Sequence, residues 1–187
     1  MEQVGYDTYC KLLDEVIKEI QGIEIIEEQD VQIDLTVSCY IPDEYIESGS
    51  QKIEIYQDIA LCRTEDDIAN VIDEIIDRFG PMPKEVENLI SVAEIKELAR
   101  KNNIVKISQK QNAIVFLYDI KKFDVEIVDR IVKKYGAKVR FSPGKEPYIT
   151  LRLEENASDK KIFSEIKEFL VENCRKKVRK IRPKSKY

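Results

Sequence analysis

Acidic side chains are concentrated on one predicted helix, whose apolar stripe consists of Ile68, Val71, Ile72, Ile75, Ile76 and Phe79. Apolar residues recur there at helical spacing, and the opposite side carries Asn70, Asp73, Glu74 and Asp77. Glu74 and Asp77 stand at positions i and i+3, so we expect them to project together. Two such carboxylates can accept charge-assisted hydrogen bonds from arginines of a partner. The alternative is a solvated face with an internal pair between Glu74 and Arg78.

Catalytic motifs are missing from the sequence. It has no histidine, no GxxxxGK[ST], no GxGxxG and no GxSxG, and its six glycines leave little material for a phosphate-binding loop. Carboxylates on helix faces are normally solvated, and only a pair placed in a cleft indicates acid–base or metal chemistry. We therefore expect no enzyme activity in this chain and no cofactor.

The four cysteines, Cys10, Cys39, Cys62 and Cys174, are widely separated and form no CxxC pair. Without histidine, this spacing does not favour a zinc site. Each lies at or near an apolar helix or strand position, so we interpret them as reduced thiols that pack as small apolar side chains.

Charge is unevenly distributed along the chain. The segment 174–187 holds eight Lys/Arg and no acid, whereas residues 1–173 hold 23 basic and 36 acidic residues. A basic tail can contact nucleic acid, although short tails are more commonly solvated helix ends. We expect removal of residues 176–187 to leave the fold intact.

The composition is typical of a globular chain of one or two small domains, with 187 residues, 43% hydrophobic and 36% charged. No stretch approaches 18 consecutive apolar residues and no signal peptide is visible, so the expected location is the cytoplasm, with no membrane contact.

Periodicity predicts the first elements. A helix covers Tyr9 to Ile20, and strict alternation from Val31 to Ile41 predicts a half-buried strand. A helix containing Ile53, Tyr56 and Ile59 follows. Thr64 and Asp67 form an Asp-containing capping box that begins the acidic helix.

The acidic helix is predicted to end in a sharp corner. Gly80 can adopt the left-handed conformation that closes a helix, Pro81 cannot continue it, and Pro83 suits the first turn of the next helix. That next helix carries two apolar faces, Val86, Leu89, Ile90 and Ala93 on one side and Val92, Ile95 and Ala99 on another. We interpret it as the central helix.

Residues 104 to 174 are predicted to form a ββαββα unit. Two hairpins alternate with a helix that ends at Gly136 and a final helix capped by Ser158. The predicted fold class is α+β: an N-terminal helix and strand, a helical corner, and the ββαββα unit, packed as one compact domain.

Four stretches of the sequence, in order, are similar to the C-terminal domain of bacterial transcription-repair coupling factors: IDLTVSCYIPDEYI, QKIEIYQDIALCRTEDDI, EIIDRFGPMPKEVENLI and AEIKELARKNNI. The most specific pieces are IPDEYI, at residues 41–46, and IDRFGPMP, at residues 76–83. The resemblance spans approximately residues 5 to 175.

The resemblance implies a function by contact. Domains of this family dock on the UvrB-like module of the same factor and mask its UvrA-binding surface, so the domain would be an autoinhibitory clasp that regulates UvrA binding indirectly. RNA polymerase and DNA would be bound by upstream domains. Residues 1–25 would connect to the upstream motor, 26–175 would form the regulatory domain and 176–187 the basic tail.

Carried over by position, the family's clasp surface falls on Glu74 and Asp77. Asp73 would add to the negative field, and Asn70 would contribute hydrogen bonds only.

Overall fold

A computed structural model describes residues 31–174. Ten elements follow one another along this part of the chain, and a short 3-10 turn at Gly136–Lys138 precedes the fourth strand. They are β1 (Gln32–Asp34), α1 (Gly49–Leu61), α2 (Glu65–Phe79), α3 (Lys84–Lys101), β2 (Ile104–Lys110), β3 (Ala113–Tyr118), α4 (Val125–Tyr135), β4 (Val139–Ser142), β5 (Tyr148–Arg152) and α5 (Asp159–Cys174). The α+β class and the ββαββα order from residue 104 onward are confirmed. The predicted helix at Tyr9–Ile20 lies outside the described residues.

The five strands form one mixed sheet in the order β1-β2-β3-β5-β4. The hairpin partners β2–β3 and β4–β5 are antiparallel, and so is the β3–β5 pair that joins the two hairpins. β1 alone runs parallel to its neighbour, with Ile33 opposite Ile107. The first hairpin closes through Gln111, which has a positive φ of 51°.

The strand predicted from Val31 to Ile41 is mostly not a strand. Only Gln32–Asp34 pairs with β2, in a parallel register that places Asp34 opposite Ser108. Beyond this point the chain has no partner backbone in the sheet, and Thr36 instead donates its N–H to the Gln109 side chain at 3.1 Å. The predicted alternation of inward and outward side chains nevertheless continues to Ile41, which is buried.

α3 belongs to two hydrophobic cores and separates them. Its first apolar face, which includes Val86 and Leu89, packs with α1 and α2 in a helical core. Its second face, which includes Ile95 and Ala99, packs with the sheet, α4 and α5. The prediction of a central helix buried on two faces is confirmed, and the seven residues divide between the two cores as predicted.

α5 runs along α3 in the same direction. Lys84 pairs with Asp159 at 2.5 Å near the start of both helices, and Lys167 of α5 contacts Glu94 of α3. Near their ends, the Asn102 amide donates to the Leu170 carbonyl oxygen at 3.0 Å.

The end of α5 differs from its prediction in one position. The sequence predicts Cys174 at or near the apolar face of this helix, but Cys174 is exposed and its neighbour Asn173 is buried. The Asn173 amide donates to the Tyr118 hydroxyl at 3.0 Å. Because Asn173 faces the core, the next residue along the helix, Cys174, faces solvent.

Candidate functional site

The acidic helix α2 begins at a complete capping box. The Thr64 hydroxyl accepts the Asp67 N–H at 3.1 Å, and the Asp67 carboxylate accepts the N–H of Thr64 at 2.8 Å and of Arg63 at 2.9 Å. These hydrogen bonds lower the pKa of Asp67, and the bond from the Arg63 N–H makes the largest contribution. The predicted start of the helix is confirmed, and its first turn already carries three acids, which suit the positive end of the helix dipole.

The end of α2 is fixed by Gly80. Its N–H donates to the Ile76 carbonyl oxygen at 2.9 Å, and its φ and ψ are 82° and −164°. The predicted positive φ is confirmed, but ψ lies outside the left-handed helical region, in one that is essentially restricted to glycine. Pro81 then interrupts the helix. Pro83 occupies the N-cap of α3 rather than its first turn, and α3 begins at Lys84.

Tyr45 contacts this corner through both its hydroxyl and its ring. The sequence did not identify Tyr45 as part of the corner. Its hydroxyl donates to the Gly80 carbonyl oxygen at 2.7 Å, and its ring packs at a tilt against Phe79, with 6.1 Å between the ring centroids. Burial raises the pKa of Tyr45. Tyr45 belongs to the stretch IPDEYI and Gly80 to IDRFGPMP, so the two most specific stretches of the sequence contact each other.

The predicted partner-binding residues divide into two groups. Asn70, Asp73 and Asp77 are exposed and continue a row that begins at Asp66, with spacing i, i+4, i+7 and i+11. This spacing keeps all four on one side of the helix. We call this row the outer face of α2. Glu74 is only half-exposed and lies beside the row, toward α1.

Arg78 accounts for the position of Glu74. Its guanidinium binds the Glu74 carboxylate at 2.5 Å and the Glu54 carboxylate of α1 at 3.0 Å. It also lies over the Phe79 ring, 5.0 Å from the centroid. The internal pair that the sequence allowed is therefore present, and it extends to a bridge between two helices.

Asp58 is a further carboxylate beside this bridge that the sequence did not single out. Burial, and after it the charges of Glu74 and Glu54, raise its pKa, while Arg78 opposes the rise. Asp58 lies four residues after Glu54 on α1, on the same side of the helix, but only the packing of α1 on α2 brings it to Arg78.

The apolar stripe of α2 was predicted one residue too wide. Ile68 and Ile75 are buried, whereas Ile76 is 43% exposed at the edge of the outer face. A partner that covers the carboxylates would therefore also cover an aliphatic side chain.

This surface is suited to recognition of positive charge. Exposed carboxylates on a fixed helix accept hydrogen bonds from Lys or Arg of another surface. Within residues 31–174 no group of three or more His, Cys, Asp or Glu side chains has the arrangement to hold a metal ion. None of the helices in the described ranges is long and apolar enough to cross a membrane.

The cysteines in the described region are free thiols in different environments. Burial, and after it the charge of Asp159, raises the pKa of Cys39 to about 12, while burial and nearby acids raise the pKa of Cys62 to about 11. Cys174 is exposed, and Cys10 and the basic tail lie outside the described residues.

Known proteins match this chain over most of its length. Residues 35–130, slightly more than half of the chain, match a family model described as the TRCF domain. The transcription-repair-coupling factor of Bacillus subtilis (strain 168) is 32% identical over 164 residues, which cover 85% of this chain and 14% of that protein. That of Staphylococcus epidermidis (strain ATCC 12228 / FDA PCI 1200) is 38% identical over 116 residues, which cover 61% of this chain and 10% of that protein.

The fold also matches a solved structure. A crystal structure described as the C-terminal domain of transcription-repair coupling factor superposes with a TM-score of 0.68 at 22% identity, covering 78% of this chain and 93% of that chain. The chain spans only a small part of the length of the factors it matches.

Proposed function

Since the chain belongs to the TRCF-domain family of transcription-repair coupling factors, we propose that it is a regulatory domain that acts by contact. In this proposal the outer face of α2 binds a basic surface of the UvrB-like module of the same factor. The bound domain covers the surface with which that module binds UvrA, so the domain is an autoinhibitory clasp.

The observation that carries the proposal is the fixed, exposed acidic row. Asp73 and Asp77 project from a helix whose start is capped by Thr64 and whose end is held by Gly80 and Tyr45. Fixed carboxylates lose less conformational freedom on binding than those of a mobile segment, which favours a defined contact.

The residues of the surface have different roles in this proposal. Asp73 and Asp77 accept hydrogen bonds from partner cations, and Asn70 adds neutral hydrogen bonds. Glu74 already binds Arg78, so a partner arginine reaches it only by displacing that side chain. Glu74 therefore acts mainly by supporting α2 against α1.

A clasp built from exposed ion pairs is weak enough to open. Each such pair contributes about 0–1 kcal/mol, so a few pairs make a closed state that a competing ligand can reverse.

The relatives are much longer than this chain, and we propose that contacts with RNA polymerase and DNA are made by other parts of the whole factor.

The test reverses the charge of the outer face in the full-length factor. We expect Asp73→Lys with Asp77→Lys to open the clasp by like-charge repulsion and to tighten UvrA binding about 5- to 150-fold, the range typical of coupled sites. The matched control is Glu154→Lys with Glu155→Lys, two exposed acids in the loop before α5, which should leave UvrA affinity unchanged.

UvrA affinity is measured at low and high salt, with circular dichroism to verify the fold of each variant. Equal UvrA affinity of the wild type and the Asp73/Asp77 variant at low salt, with both folded, would contradict the proposal.

A further inference from the structure

The outer face of α2 is an uncovered helix face with a strong charge. Asp66, Asn70, Asp73 and Asp77 are all exposed, and the exposed Ile76 adjoins them. The helix as a whole carries six acids and one arginine. Nothing within residues 31–174 covers this row.

The segment that follows α5 has the complementary composition. Residues 175–187, RKKVRKIRPKSKY, hold eight Lys/Arg and no acid, with Val178 and Ile181 as their aliphatic side chains. The segment lies outside the described residues. Its basic charge matches the carboxylates of the row, and its two aliphatic residues match the exposed Ile76.

The fold brings the start of this segment to the start of the acidic row. The corner at Gly80 joins α2 to α3, and the two helices pack in one helical core. α5 runs in the same direction as α3, and the Asn102 amide binds the Leu170 carbonyl oxygen one turn before Cys174. The last residue of α5 therefore lies near the end of α3.

Lys101 supports this placement. Its hydrogen bond with Glu97 raises the pKa of its ammonium group, and the charges of Glu65 and Cys174 contribute to the same rise. A charge influences a pKa in this way only over a short distance. Glu65 begins α2 and Cys174 ends α5, so the two ends share one neighbourhood.

We propose that residues 175–187 dock intramolecularly on the outer face of α2. The segment is long enough, because the row from Asp66 to Asp77 spans about 17 Å at the helical rise per residue, and thirteen residues reach about 40 Å when extended. Being attached beside the row, the segment is present at a high effective concentration, so weak ion pairs suffice for docking.

The consequence is that the chain carries its own competitor for this surface. This consequence, unlike the docking itself, rests on the proposed function. A docked basic segment occupies the carboxylates that the UvrB-like module would bind, so the clasp closes only when the segment leaves.

Limited trypsin digestion of the 187-residue chain tests the docking, because trypsin cleaves after Lys and Arg. Cleavage within 175–187 is followed by mass spectrometry at 50 mM and 500 mM NaCl. We expect Asp73→Asn with Asp77→Asn to accelerate it by about fivefold or more at low salt, since each of the two lost ion pairs shifts an equilibrium by up to about fivefold. High salt should accelerate cleavage of the wild type similarly.

The control is Glu154→Gln with Glu155→Gln, which removes two exposed acids at the other end of α5 and should leave the cleavage rate unchanged. Equal rates for the wild type and the Asp73/Asp77 variant at low salt would overturn the proposal. Protection that grows with protein concentration would overturn it in favour of a second copy. Protection that needs added duplex DNA and survives the Asp73/Asp77 change would overturn it in favour of nucleic-acid binding.

The digestion contains no partner protein, so its failure leaves the UvrB-like contact untouched. Conversely, unchanged UvrA affinity in the charge-reversed full-length factor would contradict the proposed competition between residues 175–187 and the UvrB-like module. It would not contradict the docking of residues 175–187 on α2.

Discussion

Replacing Gly80 by alanine should destabilise the chain, and replacing Gly49 by alanine should not. Gly80 ends α2 with a φ of 82° and a ψ of −164°, whereas Gly49 begins α1 directly after its N-cap, Ser48. An added Cβ meets no atom within 4 Å at either glycine. The two substitutions therefore differ in backbone conformation and not in steric contact.

The expected size of the effect follows from that conformation. A side chain held at the Gly80 angles costs about 1–3 kcal/mol. The loss of unfolded-state freedom on changing glycine to alanine offsets about 0.4–1 kcal/mol. At mid-range values the net destabilisation is about 1.3 kcal/mol, which lowers the melting temperature by about 3–5 °C for a chain of this size. At Gly49 only the favourable contribution remains, so that variant should match or exceed the wild type.

Urea denaturation followed by circular dichroism measures both variants. A midpoint for Gly80→Ala equal to that of Gly49→Ala would refute the assigned geometry of the corner. It would also remove the argument that the outer face of α2 is held in one direction.

Three further predictions concern side chains around the corner and the free thiols. Tyr45→Phe removes the hydrogen bond to the Gly80 carbonyl oxygen and should cost about 0.5–1.5 kcal/mol of unfolding free energy; an unchanged urea midpoint would show that this bond contributes nothing. Burial, followed by neighbouring carboxylates, raises the pKa of Asp58, so its charged form is disfavoured in the folded state. Asp58→Asn should therefore be more stable than the wild type at pH 7, with the gain declining as the pH falls and absent below about pH 3.9, where Asp58 is protonated in both states; a gain that persists at low pH would assign the effect to something other than charge. Iodoacetamide at pH 8 should modify the exposed Cys174 well before Cys39, whose pKa of about 12 leaves about one thiolate in ten thousand; peptide mapping that finds Cys39 modified as fast as Cys174 would show that its site opens readily.

Local signals predicted much of this structure. The capping box of Thr64 and Asp67, the positive φ of Gly80 and the two apolar faces of α3 depend on residues within a few turns of one another. Such features are set by hydrogen bonds and periodicity that a short window of sequence contains.

Contacts between distant segments were not predicted. The pairing of β1 depends on β2, more than 70 residues later in the chain. The hydrogen bond from Tyr45 to Gly80 spans 35 positions. The direction of Glu74 depends on Arg78 and, through it, on Glu54 of α1. No periodicity within α2 indicates which side of the helix α1 will cover.

The parallel pairing of β1 with β2 also has a consequence for synthesis of the chain. Ile33 pairs with Ile107, and a ribosome adding about 5–20 residues per second requires about 4–15 seconds to progress from one to the other. During this interval all of α1, α2 and α3 is synthesised, whereas β2, the strand that pairs with β1, begins only at Ile104, and the other strands follow it. The first strand of the sheet therefore leaves the ribosome long before its partner, and during translation the growing chain can assemble its helical core before its sheet.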